Sequence, residues 1–138
     1  MPVGRILSID YGEKRIGLAV SDPLGITAHA LDLLIRTKDA DDYDKIMELI
    51  KEYDVTKVVI GLPLNMDGSE GFMVDAVRKF SAGLKARYPI EIVELDERLT
   101  SMEAERALNQ AAIKGKKKKA KVDGLSAQII LRTFLGMH

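Results

Sequence analysis

Residues 5–21 read RILSIDYGEKRIGLAVS, and this stretch decides the fold. Two short apolar segments, Arg5 to Asp10 and Ile16 to Ser21, flank a polar turn that contains a glycine, so we predict a β-hairpin. Asp10 ends the first strand, where a carboxylate is held rigidly beside open backbone and suits a metal ion or a phosphate. A single Asp at such a turn more often only tightens it. The functional interpretation therefore depends on whether other carboxylates converge on Asp10.

The rest of the chain alternates strands and helices. The predicted elements are a strand at Ile26 to Ile35, a helix at Asp41 to Tyr53, a strand at Lys57 to Gly61, a helix at Ser69 to Tyr88, a strand at Ile90 to Leu95, a helix from the capping box at Thr100 to about Ala112, and a helix from about Val122 to Leu135. Antiparallel strands followed by strand–helix–strand units predict an α/β fold with a mixed sheet. The length of 138 residues, without a repeat or a linker, predicts one domain, residues 1–138.

Composition restricts the kind of metal site. The chain has no Cys and two His, which excludes disulfides and thiolate ligands and argues against a His-rich zinc site. Any metal would be held by oxygen, which indicates Mg²⁺ or Mn²⁺. We also find no apolar stretch of about 20 residues and no signal peptide, so we expect a cytoplasmic protein without membrane contact.

Positive charge is concentrated in one segment, although the formal net charge is zero. Residues 114–121 contain six lysines and no acid. We predict a flexible loop here that contacts the phosphate backbone of a nucleic acid. The candidate contacts are Lys116, Lys117, Lys118, Lys119 and Lys121; the alternative is a solvated tether.

Two further groups of carboxylates are candidates to join Asp10. Asp96 and Glu97 follow the strand at Ile90 to Leu95, and parallel strands end at the same edge of a sheet, where ligands bind. An acidic turn before a helix explains these two residues equally well. Asp123 could be an N-cap, but it shares the helical stripe of Ala127 and later apolar residues. Because an inward carboxylate needs a partner or a cation, we prefer a metal ligand.

Three such carboxylates are what two Mg²⁺ ions, about 3.5–4 Å apart, require for phosphodiester hydrolysis. In that arrangement, one ion lowers the pKa of the attacking water and the other stabilises the leaving oxygen. Asp10, on the most central strand, is the natural bridging ligand.

Four segments resemble the signature blocks of the YqgF/RuvX family, in the family's order and across nearly the whole chain. They are Asp10-Tyr11-Gly12 with Lys14-Arg15-Ile16-Gly17, residues 61–68 (GLPLNMDG), residues 96–101 (DERLTS) and Lys121-Val122-Asp123. The resemblance implies an RNase H-like fold: a five-stranded mixed sheet in order 3-2-1-4-5 with helices on both faces. It implies a metal-dependent nuclease that matures the 5′ end of pre-16S rRNA, or alternatively a Holliday junction resolvase acting on four-way DNA. Carried over block by block, the catalytic acids and metal ligands are Asp10, Glu97 and Asp123, with Asp96 as the alternative to Glu97.

Other polar residues near these blocks are candidate substrate contacts, namely Lys14, Arg15, Asn65 and Arg98. We also expect Ser69 to cap the helix that follows it. Two other classes of protein remain to be weighed. An actin-like phosphotransferase would need a second Asp-x-Gly hairpin, which the chain lacks. A non-catalytic RNA-binding assembly factor would not explain the aligned acids, which repel phosphate unless a cation intervenes. Junction resolution would also require a homodimer, because it needs two active sites.

Overall fold

The structure, a computed structural model, describes residues 4–100 and 118–137, and only the backbone of residues 118–124. The strands are β1 (Arg5–Asp10), β2 (Arg15–Ser21), β3 (Ala28–Ala30), β4 (Leu34–Ile35), β5 (Val55–Leu62) and β6 (Glu91–Asp96). The helices are α1 (Asp39–Glu52), α2 (Phe72–Arg87) and α3 (Lys118–Gly136), and a 3₁₀ turn covers Glu97–Thr100. No helix among these residues is long and apolar enough to cross a membrane.

The sheet is mixed and has the order β3-β2-β1-β5-β6, with β4 also paired to β2. β1 is antiparallel to β2 and parallel to β5, and β5 is parallel to β6. The predicted order 3-2-1-4-5 is confirmed if β3 and β4 are counted as one strand. The parallel strands β1, β5 and β6 therefore end at one edge, which we call the carboxyl edge.

The predicted third strand is broken in two. Ala30 pairs with Ala19, whereas Leu34 pairs with Ile16. The segment between the two pairs is thus one residue longer than the part of β2 that it faces, which is the definition of a bulge. The N–H of Leu31 still donates to the carbonyl of Leu18 at 2.8 Å, so the segment stays attached to β2.

Helices cover both faces of the sheet, as predicted. On one face, α1 and α2 pack against inward residues of β1 such as Leu7 and Ile9. On the other face, α3 packs against a second cluster that includes Ile6 of β1. The predicted stripe of α3 is confirmed for its apolar members, since Ala127, Ile130, Leu131 and Phe134 are all buried.

Alternation along β1 decides where Asp10 points. Ile6 lies in the cluster under α3, and the hydroxyl of Ser8 donates to the carbonyl of Ala127 at 2.7 Å. Because successive side chains of a strand alternate between faces, Asp10 belongs to the same face as Ile6 and Ser8. The catalytic candidate at the end of β1 thus lies on the side of α3.

Helix α3 runs antiparallel to β1 and β5. The ring of Phe134, near its end, lies 5.7 Å from Nζ of Lys57, near the start of β5. Ala127, nearer its beginning, contacts Ser8 in the second half of β1. The first turns of α3 therefore point towards the carboxyl edge.

Two predicted helix boundaries need correction. α3 begins at Lys118 rather than near Val122, so Lys118, Lys119 and Lys121 are helical and the prediction of a flexible loop is wrong for them. The reason is that Lys and Ala are strong helix formers, and nothing after Gly115 breaks the run. Asp123 is thus inside the helix and is not its N-cap. Lys116 and Lys117 lie outside the described residues, as does the helix predicted from Thr100 to Ala112, apart from Thr100.

The second boundary is the beginning of α2, which starts at Phe72 with Gly71 at the N-cap position. Ser69 therefore does not cap this helix. Its N–H and its hydroxyl both donate to the carboxylate of Asp67, at 2.9 and 2.6 Å. The hydroxyl of Ser69 therefore bonds within the local turn instead of capping the helix, because Ser side chains readily form such local hydrogen bonds.

Candidate active site

Asp10 borders an open depression of about 360 Å³ at the carboxyl edge. The depression is lined by Asp10, Gly12, Glu13, Lys14, Arg15, Gly17 and Met73. The hairpin turn thus places the predicted basic contacts Lys14 and Arg15 beside the predicted acid. A negatively charged ligand that reached Asp10 would meet both cations.

Glu97 lies over Gly61 of the neighbouring strand. A Cβ atom built on Gly61 would come within 3.0 Å of both Cγ and Cδ of Glu97, and within 2.8 Å of Cδ1 of Ile130 in α3. The side chain of Glu97 is therefore folded back over the end of β5, on the side of α3. Such contacts are tighter than nearly all that real Cβ atoms make, so a side chain at position 61 would force Glu97 and Ile130 to shift.

Strand register brings Glu97 and Asp10 to the same place. Ile9 of β1 pairs with Ile60 of β5. Asp10 directly follows Ile9, and Gly61 directly follows Ile60. Asp10 and the glycine under Glu97 thus stand side by side on adjacent parallel strands, which lie about 4.8 Å apart. Two of the three predicted acids converge at the carboxyl edge on the face of α3.

Burial raises the pKa of Glu97 above its ordinary value of 4.5, and the charge of neighbouring Asp96 raises it further. Desolvation disfavours the ionised carboxylate because water no longer surrounds the charge. A cation would favour the ionised form again. The environment of Glu97 therefore suits a carboxylate that holds either a proton or a metal ion.

Asp96 has a different environment from Glu97, although the two are adjacent. Nε of Arg98 donates to both carboxylate oxygens of Asp96, at 3.1 and 2.9 Å, and Nη2 donates to Oδ2 at 2.6 Å. The backbone N–H of Arg98 adds a hydrogen bond of 2.9 Å. Hydrogen bonding by Arg98 lowers the pKa of Asp96. The carboxylate of Asp96 is thus committed to an internal ion pair.

The loop between β5 and α2 is closed by internal hydrogen bonds. The side-chain amide of Asn65 donates to the hydroxyl of Ser69 at 3.0 Å, and the backbone N–H of Gly68 donates to the carbonyl of Asn65 at 2.8 Å. Arg98 reaches across to the carbonyl of Met66 at 3.4 Å. Both predicted substrate contacts in this region, Asn65 and Arg98, therefore have structural partners that shape the loop.

Asp123 is the third predicted acid, and only its backbone is described. It lies one helical turn before Ala127, whose carbonyl binds Ser8. Four helical residues advance about 6 Å and two strand residues about 6.7 Å, so residue 123 is level with Asp10. Among the residues whose side chains are described, no cluster of three acids or histidines could hold a metal ion; Asp123 is not among them.

Gly61 is the residue that sequence reasoning missed at this site. A glycine at the end of a strand otherwise rich in β-branched residues often marks the close approach of another group. That signal was present in the sequence, but it does not say which group approaches.

Comparisons with known proteins show which family this chain is similar to. A family model described as "RuvX: Holliday junction resolvase" matches residues 4–137. A protein of Sulfurihydrogenibium sp. is 47% identical over 135 residues, which cover 96% of this chain and 90% of that protein. A protein of Syntrophus aciditrophicus is 44% identical over 131 residues, covering 95% and 87%. Both carry the name "Putative pre-16S rRNA nuclease".

Among solved structures, this chain is similar to Thermus thermophilus RuvC in complex with a Holliday junction substrate. The TM-score is 0.61, with 13% identity, and the alignment covers 97% of this chain and 96% of the other. At this identity the similarity shows a shared fold.

Proposed function

The chain belongs to the RuvX family, and from this premise we propose that it is a metal-dependent endonuclease that matures the 5′ end of pre-16S rRNA. It hydrolyses phosphodiester bonds in structured nucleic acid at the carboxyl edge of the sheet. The observation that carries the proposal is the position of Glu97. A carboxylate folded inward over Gly61, next to the strand that ends in Asp10, is unfavourable unless a cation or a proton balances it.

The donor set fits Mg²⁺ or Mn²⁺. Asp10, Glu97 and Asp123 offer only carboxylate oxygens, which these cations prefer. Asp96 is the weaker candidate, because Arg98 already binds its oxygens. A pair of such cations supplies an activated water and stabilises the leaving oxygen. The three acids are the residues that would hold them, with Asp10 shared between the two.

Basic residues would bind the substrate backbone around these acids. Lys14 and Arg15 line the depression beside Asp10. Lys118, Lys119 and Lys121 lie in the first turns of α3, immediately before Asp123, and Lys116 and Lys117 precede them. Phosphate contacts from this lysine segment would place the strand across the carboxyl edge. Asn65 and Arg98 would act mainly by shaping the adjacent loop.

The alternative substrate is a four-way DNA junction, which the description of the family model favours. Junction resolution would require two active sites and hence a homodimer. A purely RNA-binding role is disfavoured, because the converging acids would repel phosphate in the absence of a cation.

The deciding experiment offers purified protein a pre-16S rRNA 5′ end and a four-way DNA junction side by side, with Mg²⁺ or Mn²⁺. We expect cleavage of the RNA precursor at a defined position, abolished by chelator. Preferential cleavage of the junction would favour the resolvase, and binding without cleavage of either substrate would support the assembly factor.

A further inference from the structure

We infer that Arg36 is a positioning residue for the carboxyl edge: it fixes the turn between β1 and β2, and through the turn the location of Asp10. The inference rests on the proposed function of Asp10 as a metal ligand. Arg36 follows β4 directly and lies on the face of α1 and α2, opposite α3. It therefore acts on the turn from the side of the sheet that the metal ligands do not use.

Arg36 holds the turn at three points. Its backbone N–H donates to the carbonyl of Lys14 at 3.0 Å. Its Nη1 donates to the hydroxyl of Tyr11 at 2.6 Å and to the carbonyl of Gly12 at 3.4 Å. Tyr11 is the residue directly after Asp10. The residues that follow the candidate ligand are thus tied to a single residue.

The same guanidinium is anchored to the beginning of α1. Nε donates to Asp42 at 3.1 Å and Nη2 donates to Asp39 at 2.6 Å. Asp42 is fully buried and also accepts a hydrogen bond of 3.2 Å from the N–H of Thr37. Because Asp42 cannot move without breaking these hydrogen bonds, Arg36 connects the turn to a rigid point of the core.

Aromatic rings restrict the guanidinium further. Its central carbon lies 4.7 Å from the ring centre of Tyr11 and 5.7 Å from that of Phe80. The two rings are themselves 4.9 Å apart. The Arg36 side chain is only 13% exposed. Packing and hydrogen bonding therefore select one orientation of the planar group, which a lysine could not reproduce.

Stability alone is a poor explanation for this arrangement. Replacing a buried ion pair with apolar residues is often neutral or stabilising. The value of Arg36 is geometric, because its donors are divided between α1 and the turn that follows Asp10. Misplacing a catalytic group by about 1 Å can reduce the rate about 100-fold. A residue that prevents such a displacement affects the site without touching the substrate.

The test compares Arg36→Met, which keeps the apolar stem but removes every side-chain donor, with Arg36→Lys and with a control, Ile50→Val. Ile50 is buried near the far end of α1 and contributes only packing. The first readout needs no substrate: Mn²⁺ is titrated while the amide NMR signals of Gly12 and Gly17 broaden. We expect the Mn²⁺ midpoint to rise several-fold in Arg36→Met, less in Arg36→Lys, and not in Ile50→Val.

The second readout is single-turnover cleavage at saturating protein and saturating metal. We expect a decrease of about tenfold or more in Arg36→Met. Because this variant leaves the buried Asp42 without its partner and should melt at a lower temperature than the control, cleavage is compared at a temperature at which both variants are fully folded. If Arg36→Met does not fold, Tyr11→Phe removes only the hydroxyl that Nη1 binds, and it should shift the Mn²⁺ midpoint in the same direction.

The inference is overturned if the Mn²⁺ midpoint of Arg36→Met, or of Tyr11→Phe in its place, equals the wild-type value. Arg36 would then only form a structural ion pair. If wild-type protein binds Mn²⁺ at the edge but cleaves nothing, the nuclease proposal fails, while the titration still decides the role of Arg36.

Discussion

Glu97 occupies the space that a side chain on residue 61 would fill. The closest approach of a Cβ on Gly61 would be 3.0 Å to Glu97 and 2.8 Å to Ile130. Because residue 61 of β5 has no side chain, the space above it is occupied by the carboxylate of Glu97, which follows β6, and by Ile130 of α3. This relationship couples packing to the candidate metal site and yields the first prediction.

Gly61→Ala should displace Glu97 and push against α3. We expect the free energy of unfolding to fall by about 1–3 kcal/mol, typical of an overpacked core, and cleavage and Mn²⁺ affinity to fall by a larger proportion. Thermal melts and metal titration measure the two effects. Gly136→Ala is the matched control, because a Cβ there would meet nothing within 4 Å. Wild-type metal affinity in Gly61→Ala would show that the position of Glu97 is irrelevant.

Glu97→Gln and Asp96→Asn should change stability in opposite directions. In chelator, the raised pKa of Glu97 means that its ionisation costs stability as the pH rises above 4.5. Glu97→Gln should therefore stabilise the protein at pH 7–8, by about 1 kcal/mol, and should have little effect near pH 4. The measurement is a series of thermal melts against pH.

The Asp96 half of the comparison follows from its lowered pKa. Because the folded protein lowers the pKa of Asp96, the ionised carboxylate stabilises the fold at pH values above its ordinary pKa of 3.8. This stabilisation is lost as the pH falls through the pKa of Asp96 in the folded protein. Asp96→Asn should therefore destabilise the protein at pH 7 and loosen the loop that Arg98 holds. If Glu97→Gln and Asp96→Asn both destabilise at neutral pH, the two carboxylates are simply structural.

The lysine segment should set affinity rather than the rate of the chemical step. The variant replaces Lys116, Lys117, Lys118 and Lys119 by Ala, which keeps helix-forming residues at positions 118 and 119, the first two of α3. We expect weaker binding of the nucleic acid. The slope of the logarithm of the binding constant against the logarithm of the salt concentration should become less steep, by roughly one unit for each phosphate that the variant no longer neutralises. Binding measured at several salt concentrations tests this, and single-turnover cleavage at saturating protein should change little.

A matched control removes the same charge from the opposite face of the sheet. Lys45, Lys51, Lys79 and Lys85 are exposed lysines of α1 and α2. Their replacement by Ala should leave the salt slope closer to wild type. Equal slopes in the two quadruple variants would place the basic contact surface elsewhere, with Lys14, Arg15 and Arg98 as the next candidates.

The parts of the fold that were predictable from sequence are those that depend on local patterns. The hairpin at residues 5–21, the buried β5 and the apolar stripe of α3 all follow from periodicity and turn residues. The errors arose where two local tendencies compete. Lys118, Lys119 and Lys121 resemble a solvated loop by charge but form a helix by propensity. Ser69 prefers the carboxylate of Asp67 to the role of N-cap.

The candidate site was only partly predictable, because its details are non-local. Sequence placed Asp10 and the pair Asp96-Glu97 at one edge, but it could not say which acid of the pair turns inward. That choice depends on Arg98, which binds Asp96, and on the gap above Gly61. The role of Arg36 was missed for the same reason: its partners lie 25 residues earlier, at Tyr11, and 6 residues later, at Asp42.

The most direct test of the central claim is cleavage by Asp10→Asn. This substitution removes one charge and keeps the shape of the side chain, so the fold should persist, as circular dichroism and thermal melts in chelator would show. Because Asp10 is proposed to be shared by both cations, we expect Mn²⁺ binding at the edge to be abolished and cleavage of pre-16S rRNA to fall to background. Wild-type turnover by a correctly folded Asp10→Asn protein would contradict the account.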